Sequence, residues 1–293
     1  MSNEEILLLF GIAAECGGLP MKMLLGILAN RCICNKALHY GYCTRYVDIM
    51  ILTNIRFKTA IIFATSLLAG CNFINQDSDR PATSRQFPRA FRPVSAAAGT
   101  SFSTEAARDK AGEANMVMDW AGIEAGSTVA DIGAGEGYYT IRLAKRVGEK
   151  GRVLAQDINA GALQRLGDRV SRDRLDNVSI KPGAVDDPRL PVDSFDRIFM
   201  VHMYHEVSEP YAMLWRLRPA LAKGGEVIVV DRDMPTDMHG IPPQLLFCEF
   251  QASGYRLKGF TERLDVGAYF ARFEAIGKRP DPGAIKVCAQ NLK

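Results

Sequence analysis

The chain has 293 residues, 47% of them hydrophobic, and 36 Lys and Arg against 33 Asp and Glu leave a net charge of +3. This composition excludes a disordered or collagen-like chain, allows a sizeable core, and makes no electrostatic case for a nucleic-acid partner. Of the cysteines, Cys16, Cys32, Cys34, Cys43 and Cys71 crowd the first quarter while Cys248 and Cys288 stand apart, so two unlike stretches share one average.

Residues 1–49 alternate short apolar runs with Cys, Asn and Gly at no helical or strand period, and no stable fold is expected there. Cys32 and Cys34 lack the two-to-four-residue gap that usually lets two thiolates chelate one tetrahedral ion, and no second ligand pair follows His39 and Cys43 at finger spacing, so no metal site is expected. From Met50, the basic Arg56 and Lys58 precede the apolar run Ala60–Leu68, which ends in small residues before Cys71. That order is the grammar of a signal peptide, and the run is too short to span a bilayer. Met50 is therefore expected to be the physiological start, with residues 1–49 a spurious extension.

Leu68-Ala69-Gly70-Cys71 resembles the lipobox of bacterial lipoproteins. The resemblance implies cleavage before Cys71, lipidation of that residue, and a membrane-anchored protein facing the periplasm or exterior; if the signal is not used, the protein is cytoplasmic. Residues 72–101, rich in Pro, Ser, Ala and Arg, read as a flexible tether, with the folded domain at 102–293.

Thr104 is a suitable N-cap for a helix running to Trp120. Strand and helix patterns then alternate: strand 129–132, helix 139–147, strand 153–157, helix 160–172, strands 178–181 and 195–201, helix 210–222 and strand 226–231. Alternation of this kind predicts a mostly parallel sheet covered by helices on both faces, with ligands beyond the carboxyl ends of the strands. There the chain carries Asp131-Ile132-Gly133-Ala134-Gly135-Glu136-Gly137, three glycines on alternate positions, followed about twenty residues on by Asp157 at the end of the second strand. Glycine lets a backbone approach a ligand closely, and a carboxylate can accept both hydroxyls of a ribose. The spacing is not that of a dinucleotide fingerprint, and the Lys and Ser/Thr of a P-loop are missing.

From Asp131 to Gly137 this motif resembles the first motif of class I S-adenosylmethionine-dependent methyltransferases, and the likeness extends from about Thr104 to Ala275. Ser194–Phe199 matches the family's fourth strand and Leu217–Gly225 its turn before the fifth. Tyr204-His205-Glu206 together with Asp187-Pro188-Arg189-Leu190-Pro191 resembles a bacterial subgroup. The resemblance implies a Rossmann-like, seven-stranded sheet ending in an antiparallel pair, for which 255–262 and 269–275 are the candidates. It also implies S-adenosyl-L-methionine as cofactor, held by Asp131, Gly133, Gly135, Gly137 and Asp157. Many relatives place an acid directly after the glycine that follows the third strand. Here Gly183 precedes Ala184 and Val185, so Asp186 is the candidate for the adenine contact.

Methyl transfer from a sulfonium asks the protein mainly to align a nucleophile and remove its proton. His205 is the candidate general base, with a structural place beside the cofactor as the competing reading, and His202 is expected at the cofactor or pocket wall. Glu206 either orients His205 or sits in a helix's first turn, and Asp231 and the Pro- and Gly-rich stretch 234–243 share the same rim. Phe247, Phe250, Tyr255, Phe260, Tyr269 and Phe270 suit either core or an apolar ligand. The acceptor is expected to be small and partly apolar, lipid- or quinone-like. A membrane-tethered nucleoside-binding protein without methyl transfer is the alternative. Cytoplasmic supply of the cofactor pulls against an exported location. Cys248 and Cys288 either pair or stay free.

Overall fold

A computed structural model describes residues 79–96, 104–263 and 265–289. The expected signal peptide, Cys71 and the extension 1–49 lie outside the described residues, among which no helix is long and apolar enough to cross a membrane.

Thr104 caps the first helix through a hydrogen bond from the Ala107 amide, as its side chain suggests, but the expected single helix is two. Gly112 takes a left-handed conformation and divides α1, Glu105–Ala111, from α2, Glu113–Trp120. The strands β1 (Thr128–Ile132), β2 (Arg152–Asp157), β3 (Val178–Pro182), β4 (Phe195–Val201) and β5 (Leu221–Asp231) are parallel. The last two, β6 (Tyr255–Arg263) and β7 (Ala268–Ala275), are antiparallel, and the sheet order is β3-β2-β1-β4-β5-β7-β6. Helices α3 (Tyr138–Val147), α4 (Ala160–Arg172), α5 (Pro210–Leu217) and α6 (Pro243–Ala252) complete the fold. It is the Rossmann-like, seven-stranded sheet with an antiparallel final pair that the resemblance implies.

Burial explains the strand compositions. The inner strands β1 and β5 are covered on both faces, so Val227 to Val230 form an unbroken apolar run rather than an alternating one. One large cluster carries Ile132, Ile198, Leu214, Leu246, Phe250 and Phe273; a second, across the sheet, carries Val117, Val129, Leu143, Phe199, Ile228 and Phe270. Phe250, Tyr255, Tyr269 and Phe270 are thus core. The helix expected to run to residue 222 ends at Leu217, because Pro219 cannot continue it, and Leu221 already pairs with Phe195. Helix α6 departs from the sequence pattern: Pro242-Pro243 reads as loop, yet Pro243 at the first helical position removes a donor that would go unpaired there.

The tether expectation is corrected over residues 79–96, the rest of 72–101 lying outside the described residues. Residues 79–96 form a strap fixed to the domain by buried charge pairs. The Arg80 guanidinium donates to both oxygens of Glu209 at 2.7 Å, and Arg92 Nε donates to Glu249 at 2.8 Å with both side chains out of solvent. Between them Phe87 is buried against Trp215, with ring centroids 5.5 Å apart. At the other end of the chain a disulfide joins Cys248 of α6 to Cys288, the Cα atoms 6.0 Å apart, so these two thiols pair.

Candidate functional site

The loop from Gly133 to Gly137 leaves β1 at its carboxyl end and enters α3, with all three glycines at positive φ. Two of them show why a side chain would not serve. A Cβ on Gly133 would stand about 3 Å from the Met203 side chain, so this glycine lets the turn after β4 close onto the loop. A Cβ on Gly135 would meet nothing within 4 Å, which leaves open space over the backbone of the cradle. Asp157 closes β2 beside it: one carboxylate oxygen accepts the Gly135 amide at 2.8 Å and the other the Asn159 amide at 2.8 Å.

Asp131 lies beneath the loop, where its carboxylate accepts the Thr140 hydroxyl at 2.6 Å and ties α3 to β1. Burial, with the Asp157 charge adding to it, raises its pKa from 3.8 to about 6 despite that hydrogen bond. Across the loop, Glu113 of α2 receives Arg108 at 2.6 Å and the Tyr139 hydroxyl at 3.0 Å, with His202 Nε2 at 3.5 Å. Burial works against the charge of Glu113, but its bonds with His202 and Arg108 prevail and hold its pKa down at about 2. His202 itself sits at positive φ just past β4, its amide bonded to the Val230 carbonyl. That conformation is uncommon outside glycine and is held here by the bond to the neighbouring strand.

Asp186 is corrected. It is buried under the strap, where its Oδ2 accepts the hydroxyls of Thr83 and Ser84 at 2.6 and 2.8 Å and Arg216 at 2.6 Å. Burial raises its pKa, but these three donors outweigh burial and leave it below the ordinary value, so the carboxylate is committed to anchoring the strap rather than to adenine.

The rim over β4 and β5 gathers the other candidates. His205, buried in the 3-10 turn Tyr204–Glu206, has Nδ1 at 2.9 and 3.0 Å from the two oxygens of Asp231, the last residue of β5. A carboxylate only accepts, so the network assigns the proton to Nδ1 and directs Nε2 away, toward Glu206 at 3.9 Å. Asp231 is therefore the residue that orients His205. The ring of His239 stands 5.7 Å from that of His205 at an interplanar angle of 86°.

The strap reaches this rim. The Arg92 guanidinium donates to the carbonyls of His205, Tyr204 and Val207, holding the turn from behind, and the Tyr204 hydroxyl donates to Glu249 at 2.8 Å. Ser95 Oγ donates to the Thr236 carbonyl at 2.6 Å and accepts the His239 amide at 3.1 Å. No local pattern in residues 79–96 advertises these contacts. The groove lined by Arg218, Lys223, Glu274 and Arg279 opens at the opposite, amino end of β5 and is not part of this constellation.

A doubly covered sheet of this order, with a glycine cradle after β1 and a carboxylate ending β2, defines a Rossmann-like methyltransferase fold. Residues 129–225 match the family described as a methyltransferase domain. The chain is 30% identical over 176 residues to the ubiquinone/menaquinone biosynthesis C-methyltransferase UbiE of Methylococcus capsulatus, covering 58% of this chain and 68% of that protein. To the protein of the same name from Hahella chejuensis it is 27% identical over 177 residues, again with 58% and 68% covered. Among solved structures, a SAM-dependent methyltransferase from Aquifex aeolicus superposes with a TM-score of 0.53 at 24% identity, covering 56% of this chain and 90% of that one. The chain belongs to the class I S-adenosylmethionine-dependent methyltransferases, and S-adenosyl-L-methionine is its cofactor. The open backbone at Gly135 and the carboxylate of Asp157 fit the two ends of that molecule.

Proposed function

We propose that the protein transfers a methyl group to a small, partly apolar acceptor of the quinone-like class, docked over the carboxyl ends of β4 and β5. The observation that carries this reading is the buried His205–Asp231 pair, placed on the same rim as the glycine cradle. When bound, the cofactor supplies an electrophilic methyl on a sulfonium. Gly133, Gly135, Gly137 and Asp157 hold it, Asp131 supports the loop from below, and His202 lines the wall between cofactor and acceptor. His205 presents Nε2 at the place where an acceptor hydroxyl or activated carbon acid must lose its proton, and Asp231 stabilises the imidazole as charge develops. The names of the UbiE relatives support an acceptor of quinone type.

We also propose that the protein is exported and anchored at Cys71. A disulfide fits an oxidising compartment and supports that reading.

Labelled cofactor incubated with an extract of the producing cell tests the function. Wild type is expected to yield a labelled organic-soluble product and Asp157→Ala none. Cofactor binding by calorimetry with no labelled product from any fraction would favour the nucleoside-binding alternative. Labelled palmitate retained by a Cys71→Ser variant would refute the anchor.

A further inference from the structure

We propose that His205, Glu206 and His239 form a binding site for one first-row divalent transition metal ion, of the zinc class, at the acceptor rim. Each offers one donor atom, and these atoms lie within 4.8 Å of one another. A tetrahedral ion with N and O donors about 2.1 Å away sets donor–donor distances near 3.4 Å, so the present spacing closes around an ion by small side-chain adjustment. The 3.9 Å from His205 Nε2 to the Glu206 carboxylate is already close to that value. Two imidazoles and one carboxylate are one of the donor sets of three-ligand catalytic zinc sites, in which the fourth position takes water or substrate.

A second observation, independent of the cluster, points the same way. A metal-binding histidine generally gives its other ring nitrogen to a carboxylate or carbonyl, which fixes the tautomer and raises the basicity of the ligating nitrogen. His205 Nδ1 does this to Asp231, and Asp231 is buried and further pinned by the Arg232 amide at 2.9 Å. The remaining geometry is built in advance. His239 is held at positive φ at the end of the 3-10 turn Thr236–Met238, with its amide on Ser95, while Arg92 grips the carbonyls around His205. Both ligand-bearing loops are thus fixed by the strap, and donors held by buried anchors bind with little reorganisation.

With the ion on Nε2, His205 serves as ligand rather than base, and the metal takes over its activating role: an acceptor hydroxyl coordinated at the fourth position ionises more readily than in water, its proton leaving to solvent. That part of the inference, the acceptor as a metal-coordinating hydroxyl compound, rests on the methyltransferase reading; the ion site itself does not.

The test uses the full chain with Cys16, Cys32, Cys34, Cys43 and Cys71 replaced by Ser, so that these thiols hold no metal, stripped with chelator and titrated with Zn²⁺ by calorimetry. Co²⁺ absorption reports the coordination. One equivalent is expected to bind, with affinity at least tenfold lower in Glu206→Gln and in His239→Gln. Asp231→Asn, which leaves all three ligands in place, is expected to lose about 10- to 100-fold. Glu206 and His239 are partly exposed, so their variants test the site without emptying the core. No binding, or binding unmoved in both, overturns the proposal. Cofactor titrated into the same samples separates the two readings: cofactor bound without metal sinks the ion site alone, and metal bound without cofactor sinks the methyltransferase reading alone.

Discussion

Asp131 shows how one residue can be costly to the fold and useful to the site. Its carboxyl is buried under the glycine loop and its pKa is raised from 3.8 to about 6. The folded protein therefore holds this proton more tightly than the unfolded chain, and the charged form penalises the fold. The penalty is absent below pH 3.8, grows as pH rises, and is complete above about pH 6, where the shift corresponds to about 3 kcal/mol. Asp131→Asn, which still accepts the Thr140 hydroxyl, is expected to raise the melting midpoint at about pH 8 and to leave it nearly unchanged at about pH 4. The same variant should bind the cationic cofactor more weakly, because a buried anion beneath the loop attracts sulfonium and ammonium. Opposite signs for stability and affinity, read by calorimetry on one sample, are the expected result; equal signs would mean that Asp131 is only structural. Arg92 is the converse case. Its guanidinium is enclosed with Glu249, so Arg92→Met leaves a buried carboxylate without its countercharge, and about 3 to 5 kcal/mol of stability should be lost. The double variant Arg92→Met with Glu249→Met should recover most of that loss in denaturant melts without recovering methyl transfer, since the carbonyls behind His205 stay ungripped.

Among the elements, those whose patterning answers to local physics are legible in the amino-acid sequence alone. Helix α4 occupies the expected 160–172 because Asn159 caps it through the Ala162 amide, and β4 occupies 195–201. The sequence misleads where distant partners decide. Leu221 to Gly225 looks like a turn, yet β4 recruits it into β5 across an irregular register between Phe195 and Arg197. The acids of the site divide in the same way. Asp157 is legible by its distance from the glycine loop. The pairing of Asp231 with His205 depends on β4 and β5 lying side by side, and the strap depends on charge pairs such as Arg80 with Glu209, 129 residues apart. The glycine loop itself offers an element-scale test. Gly135→Ala meets open space and bears only the cost of a left-handed backbone, about 1 to 2 kcal/mol, while its methyl fills the cradle. Gly137→Ala drives a methyl into Leu166 of α4 at a φ of 90° and should lose more stability than that. Cofactor affinity at a temperature where both variants are folded is expected to fall at least tenfold in Gly135→Ala and less in Gly137→Ala.

At the scale of the whole molecule, the two ends of the described chain converge on one helix. The strap brings Arg92 to Glu249 of α6, and the returning C-terminal segment brings Cys288 to Cys248, one residue before it. The disulfide closes a loop with a sequence separation of 40, for which restriction of the unfolded chain alone is worth about 4 kcal/mol, with measured values for native bridges of about 2 to 5. Its influence should reach the site along a short path: Cys248 steadies α6, Glu249 holds Arg92, and Arg92 holds the turn that carries His205. The cofactor cradle, built from β1, β2 and α3, has no part in that path. Paired replacement of Cys248 and Cys288 by Ser, or reduction with dithiothreitol, is therefore expected to lower the melting midpoint by several degrees. It should also reduce turnover of the acceptor while cofactor affinity stays within about twofold of wild type. An equal loss of cofactor binding and turnover would show general loosening instead. Full turnover in the reduced protein would show that α6 is held without the bridge.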